Sequence, residues 1–410
     1  MAKFAHLSTI LQKLRAFLNA VVRNTEEYPP QKREFRTLEA FAEALELQLI
    51  HFDLNIARRE EDMLRAHQQT GRTTVASILS LEKALREEYS DSFGELLGIV
   101  SECFPGTSWI SRSQMLARVR RSSSTFSSKL LDDLFDSIQR RQSFGDTVSA
   151  SIITHVFFKT AEPIWNMLGR WLRDGIFMPE STGSITDQDN LPQEFFIESN
   201  GLDIADPDFW ACGYSLRTSF TAEVVSDEYS GVPVFLRSLS DKILGAGKSI
   251  GLLRILGHSG RIDYGKLSAD AWPSFETFML KMFNQGTLFD SPGKSMDVDI
   301  SPENLSLLLS DHLLPVCSSA ERTLMNVLHA DCDLLSHLGA IEDLFLSRKG
   351  DILADFCDVL FTAVSENVLP DKLRLIHLHR STPRKYGQTI IFSTLLLPRL
   401  SNLEKHGGLM

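Results

Sequence analysis

The feature that most constrains this chain is the spacing of its large apolar residues. They recur at steps of three and four over long stretches, which is the period of a helix face and not of a strand. Phe41, Leu45, Leu49, Phe52 and Ile56 form one stripe, followed by the charged run "ARREEDMLRAHQQ". Ile78, Leu81, Leu85, Tyr89, Phe93, Leu96 and Val100 form a second, and Leu131, Leu134, Phe135 and Ile138 a third. A fourth runs from Ile152, Val156 and Phe157 to Ile164, Leu168, Trp171 and Leu172, with Gly175 placed to cap its C-terminus. Pro163 starts or kinks that helix. Stripes resume with Leu305, Leu308 and Leu309, then Leu324, Val327 and Leu328, then Leu334, Leu338, Ile341 and Phe345. Strand signals are few; "EFFIE" (Glu194 to Glu198) reads as a short extended or hairpin segment. The expected fold is all-α, an elongated stack of helical bundles.

The 410 residues suggest two or three domains. Polar, Pro/Gly/Ser-bearing segments run from Phe177 to Gln193 and from Phe283 to Asn304. The second is the better boundary, dividing a helical bundle over 1–290 from a helical region over 300–410. At 43% hydrophobic and 23% charged residues the chain can bury a sizeable core and remain soluble. A net charge of -11 argues against nucleic-acid binding and against an anionic membrane surface. The five cysteines are scattered, with no C-x-x-C, and read as reduced thiols of an intracellular protein. The first residues, "MAKFAHLSTILQKLRAFLNAVV", are amphipathic and broken by Gln12, Lys13 and Arg15, so they read as a helix and not a secretory signal. No apolar run is long enough for a transmembrane helix.

The segment most suggestive of chemistry is "SDKILGAGKSIGLLRIL", Ser240 to Leu256. A phosphate-binding loop has G-x-x-x-x-G-K-[ST] after a strand. Here the first glycine is replaced by Lys242, and Leu236, Leu239, Ile243, Gly247, Ile250 and Leu253 hold one helical register. Lys248 is therefore expected on a helix. Gly245, Gly247 and Gly251 each cost about 1 kcal/mol inside a helix, so a close helix crossing or a kink is their expected use. In "HADCDLLSH", His329, Cys332 and His337 offer metal-ligand types without a tight cluster, and core or solvent-facing positions explain them better. Asp132 and Asp133 read as solvated on a charged helix face. "RSQMLARVRRSSSTFSSK" (Arg112 to Lys129) reads as an exposed, serine-rich linker, with a phosphorylation segment as the sharper alternative. Trp165, Trp171, Trp210 and Tyr214 read as packing residues. No catalytic residue, cofactor or metal is expected.

Four segments occur in a recognisable order: "TAEPIWNMLGRWLRDGIF", "EFFIE", "DPDFWACGYSLR" and "VPVFLRSLSDKILGAGKSIGLLR". The set resembles the gamma-tubulin complex component family. The matching positions are Pro163, Leu168, Trp171 and Gly175; Glu194, Phe195 and Phe196; Trp210, Tyr214 and Leu216; and Pro233, Phe235, Leu236, Ile243, Gly247, Lys248, Leu253 and Arg254. "LLDDLFDSIQRRQSFGD" is similar to the helix that precedes these in the family, and "HADCDLLSHLGAIEDLFLSRKGDILADFCDVLF" to the start of its second domain. "DFW" and "TAEP" tilt the resemblance toward the component 5 type. The likeness covers residues 35 to 365. It implies a non-enzymatic scaffold at a microtubule-organising centre (spindle pole or centrosome) in the cytoplasm and cytoskeleton. It implies lateral association with paralogous components through the N-terminal bundle. The second domain of the family binds gamma-tubulin. Only its first part is expected over 300–410, hence little direct gamma-tubulin binding. Two other readings compete: a helical-rod vesicle-tethering subunit, which shares the stripe pattern, and a P-loop-like NTPase built on "GAGKS".

Overall fold

The computed structural model describes residues 2–26, 35–70, 78–104, 123–176, 192–202, 206, 208–217, 231–257, 272–286, 302–346, 348 and 350–365. The described residues are overwhelmingly helical, and the only sheet among them has two strands. The chain divides into two compact units, Met1–Glu321 and Arg322–Met410. The boundary expected between residues 290 and 300 falls on 287–301, outside the described residues.

The first unit is built around one helix. Helix α1 spans Ala2–Glu26 and α2 Arg36–Thr70. Helices α3 (Ile78–Leu85) and α4 (Asp91–Cys103) join through a π turn, Arg86–Ser90. Their stripe explains that turn: Leu81, Leu85, Tyr89 and Phe93 recur at steps of four, which a 3.6-residue turn lets drift around the helix. A wider turn at Arg86–Ser90 keeps Tyr89 and Phe93 on the buried face, stacked at 5.6 Å between ring centroids. Helix α5 is Ser123–Ser143 and α6 Thr147–Asp174. Between them Gly145 takes φ 75°, and the Asp146 carboxylate accepts the Ser149 N–H at 3.1 Å as the N-cap of α6.

Helix α6 buries a wide apolar face, from Ile153 and Phe157 through Leu168 to Trp171. The rest of its circumference is a polar stripe of His155, Lys159, Glu162, Asn166 and Arg170, so the apolar face is wide but not complete. It packs against α2, α5, α8 (Ser240–Ile255) and α9 (Phe275–Gly286). It runs unbroken through Pro163, so that proline neither starts nor ends it. Phe135 of α5, Phe157 of α6, Phe235 and Phe275 of α9 form one ring cluster, with centroids 5.7–6.5 Å apart. A small hairpin lies in the same unit: β1 (Ile197–Ser199) pairs antiparallel with β2 (Tyr214–Leu216), Glu198 facing Ser215. Helix α7 (Phe209–Cys212) leads directly into β2, and a 3₁₀ turn, Val234–Leu239, leads into α8. Helix α10 (Pro302–Ala330) contributes Leu305, Leu309 and Leu313 to the core of the first unit.

In the second unit, α11 (Leu334–Phe345) and α12 (Gly350–Ser365) follow. The stripe that predicts a buried α11 face is instead open. Leu338, Ile341 and Phe345 are exposed, because among described residues α11 meets little besides α12.

Candidate functional site

The four motif segments meet at the C-terminal end of α6. Trp171 is fully buried, and its Nε1 donates to the Ile243 carbonyl of α8 at 2.9 Å. Its ring lies 6.5 Å from that of Phe195 and 5.4 Å from that of Tyr214. Phe195 and Phe196, both buried, stand 4.5 Å apart. The indole fills the space where Gly247 lacks a side chain; a Cβ there would overlap Cε2 and Nε1. One turn on, a Cβ at Gly251 would stand 2.5 Å from Ile176 Cβ. Gly175 takes φ 67° and packs on the backbone of Gly247 and Gly251. Its N–H donates to the Trp171 carbonyl at 2.9 Å, closing α6. Arg254 adds a second closure, donating from Nη1 to the Asp174 carbonyl at 2.7 Å. Two of the three helix glycines thus bring α8 against the end of α6. Gly245 meets only Glu321 Oε1 at 3.4 Å, an ordinary contact.

Lys248 lies in mid-helix on α8, which follows a 3₁₀ turn and no strand. Its Nζ donates to the carbonyls of Trp210 at 3.1 Å and Ala211 at 3.3 Å. It ties α7 to α8 by capping the orphan carbonyls of a short helix. Burial lowers the lysine pKa from its ordinary value. The backbone N–H groups around it are spent in the helix, so no phosphate cradle exists there.

Trp210 is a correction. The residue is 44% exposed, and what the motif uses is its carbonyl. The residue sits on a helix of four residues whose outer side faces solvent. Leu168 is buried in α6, Pro163 borders a groove between α2 and α6, and Pro233 precedes the 3₁₀ turn that buries Phe235 and Leu236. Phe235 packs in the ring cluster with Phe135, Phe157 and Phe275. The groove, of about 650 Å³, interleaves Arg36 and Lys159 with Glu43 and Glu162 and favours neither sign of ligand charge.

Two carboxylates do work that their sequence setting hides. Glu194 is 2% exposed and accepts the Thr37 N–H on both oxygens, at 3.2 and 3.3 Å, at the N-terminus of α2. Ser127 Oγ donates to the same carboxylate at 3.3 Å. Burial pushes Glu194 up to about 8, outweighing those donors. Asp132 accepts the Val234 N–H at 2.8 Å and lies 3.8 Å from Arg237. Burial raises it to about 7 against both partners. The expectation of solvated carboxylates fails for Asp132, because the 3₁₀ turn covers that part of α5.

The serine-rich linker is also corrected. Residues 105–122 lie outside the described ones, but Ser123, Ser124, Ser127 and Ser128 are buried in the first turns of α5. Of these, Ser127 reaches Glu194. "HADCDLLSH" does not lie on one helix. Asp333, at φ 53°, separates α10 from α11, and no group of ligand residues among those described could hold a metal. None of the five cysteines is disulfide-bonded, and no helix among described residues is long and apolar enough to cross a membrane.

These features define an all-α scaffold in which the glycines, the lysine and the tryptophan of the motif serve one another. The Gamma tubulin complex component N-terminal family model matches residues 1–330, and the chain belongs to that family. It is 22% identical over 249 residues to the Gamma-tubulin complex component 2 homolog of Drosophila melanogaster, covering 58% of this chain and 22% of that protein. It is 25% identical over 217 residues to the Gamma-tubulin complex component 3 homolog of Xenopus laevis, covering 53% and 19%. The matched regions span about a fifth of the length of these curated relatives.

Proposed function

We propose that the chain is a structural, non-enzymatic subunit of a gamma-tubulin complex, associating laterally with paralogous components to template microtubule nucleation. The bundle expected over residues 1–290, extended by α10 to the unit boundary at Glu321, forms its lateral-assembly domain, and the residues beyond that boundary belong to the region directed at gamma-tubulin. Its place is the microtubule-organising centre, in the cytoplasm. Within the family it is of the component 5 type, a reading supported by "DFW" and "TAEP". The observation that carries the proposal is the family match over residues 1–330. Helical bundles suit the role: they present long rigid sides, and a stable lateral contact needs about 1,200–2,000 Å² of total buried surface.

The test is a pull-down with the chain as bait against a paralogous component and, separately, gamma-tubulin. Retention of the paralogue with little gamma-tubulin is expected. Strong gamma-tubulin binding by this chain alone would move the tubulin site into it. Retention of neither by folded protein, or co-purification with membrane tethers instead, would overturn the proposal.

A further inference from the structure

The outer face of α2 carries an apolar pattern that its packing in the bundle uses only at its margins: Leu47 borders the groove between α2 and α6, and Asp53 accepts from Arg15 of α1 at 2.8 and 3.0 Å. Phe41, Leu45, Gln48, Leu49 and Phe52 point into the core. On the opposite face Leu47, Ile50, Leu54 and Leu64 are 38–58% exposed. Single exposed leucines are ordinary. These, with exposed Ala57, fall at 47, 50, 54, 57 and 64, the a and d positions of one heptad frame. The remaining a position is Glu61. The flanks differ in charge by side: Glu46, Asp53 and Glu60 occupy g, and Arg58 and Arg65, with His51, occupy e, all exposed.

We infer that α2 is a self-pairing helix: two copies of the chain dock along residues 46–65 with their α2 helices parallel and in register. Charge selects that occupant and that direction. In a parallel pair each g residue faces the e residue five positions on in its mate. Asp53, which within its own chain accepts from Arg15, then meets Arg58 of the second copy as well, and Glu60 meets Arg65; Glu46 meets the imidazole of His51. An antiparallel pair would set g against g and e against e, like charge against like. The strip is about 30 Å long. Because α2 is already held in the bundle, pairing does not bear the cost of forming the helix. Glu61 is the weak point, since it would face its own counterpart; alone it pairs with Arg65 at 2.6 Å. A dissociation constant on the order of micromolar is expected for so narrow a seam. The inference rests on α2 alone and stands whether or not the lateral assembly proposed above is right.

Sedimentation velocity of the full chain across the micromolar range tests it. A concentration-dependent monomer–dimer equilibrium is expected. Ile50→Lys with Leu54→Lys weakens it more than about tenfold, with circular dichroism and melting temperature unchanged because both residues are exposed. Glu61→Leu tightens it. Asp53→Lys/Glu60→Lys and Arg58→Glu/Arg65→Glu are each monomeric alone and form a dimer when mixed. A wild-type chain that stays monomeric overturns the proposal. So does a dimer that survives Ile50→Lys/Leu54→Lys, or a mixture that fails to pair. Binding of a paralogue through this face without self-association overturns it as well.

Discussion

The indole of Trp171 rests on the bare backbone of Gly247, where no side chain could fit without displacing it. The two residues lie on different helices, and the ring is anchored by its hydrogen bond to Ile243. Neither side can yield cheaply. Gly247→Ala is expected to destabilise the chain by about 1–3 kcal/mol through overpacking. Trp171→Ala is expected to cost about 3–5 kcal/mol. Chemical denaturation of the single and double variants checks this. In the Trp171→Ala background the alanine at 247 should cost much less, since the space it invades is then empty. Additive losses would mean that the two residues do not share that space.

Lys248 caps two carbonyls of a short, solvent-facing helix. Lys248→Met keeps the aliphatic stem and removes the donor. The expected loss is about 0.5–1.5 kcal/mol, as water can replace part of the cap. ATP or GTP should leave the melting temperature of wild type unshifted. Saturable nucleotide binding abolished by this substitution would restore the NTPase reading.

The helical period made most of the fold legible. Stripes placed α2, α4, α5 and α6, because apolar residues three and four apart have few other uses. The same period kept Lys248 off a phosphate loop. What it could not reveal came from contacts distant in sequence. Asp132 looks solvated beside Asp133 and is covered only because a turn about a hundred residues later folds over it. The "SSTFSSK" serines look like a linker, since serine is polar; yet Ser123, Ser124, Ser127 and Ser128 are buried, positions where their small size fits. Trp210 looks like core by residue type, yet only its carbonyl is engaged. The α11 stripe predicts burial correctly only if a neighbour exists, and periodicity carries no information on that.

Ser127 offers a test of the corrected α5. It is 1% exposed, and its hydroxyl donates to Glu194. Ser127→Ala leaves Glu194 its backbone donors and should cost about 1 kcal/mol. Ser127→Asp sets a second carboxyl against a buried one and should cost more than about 3 kcal/mol. Thermal melts at neutral pH compare them. A mild Ser127→Asp would place this turn at the surface and reopen it as a phosphorylation site.

Glu194 makes the stability of the first unit pH-dependent in a definite direction. Its carboxyl is raised in the folded chain to about 8 by burial, from an ordinary value near 4.5. Between those values the unfolded chain has released the proton and the folded chain has kept it. Stability from this group is therefore complete below the lower value. It falls as pH rises through the window, by about 1.4 kcal/mol per unit at most, and levels off above the folded value. Glu194→Gln keeps the shape and an acceptor for the Thr37 N–H but does not titrate. Paired denaturation of wild type and variant at mildly acidic, neutral and alkaline pH isolates the effect. The Asp132 titration, raised to about 7, is common to both proteins and cancels in the difference. The expected result is a wild type that loses ground to Glu194→Gln steadily as pH rises. A wild type that gains instead would mean that the Thr37 N–H and the α2 N-terminus hold Glu194 ionised, and that its hydrogen bonds outweigh its burial.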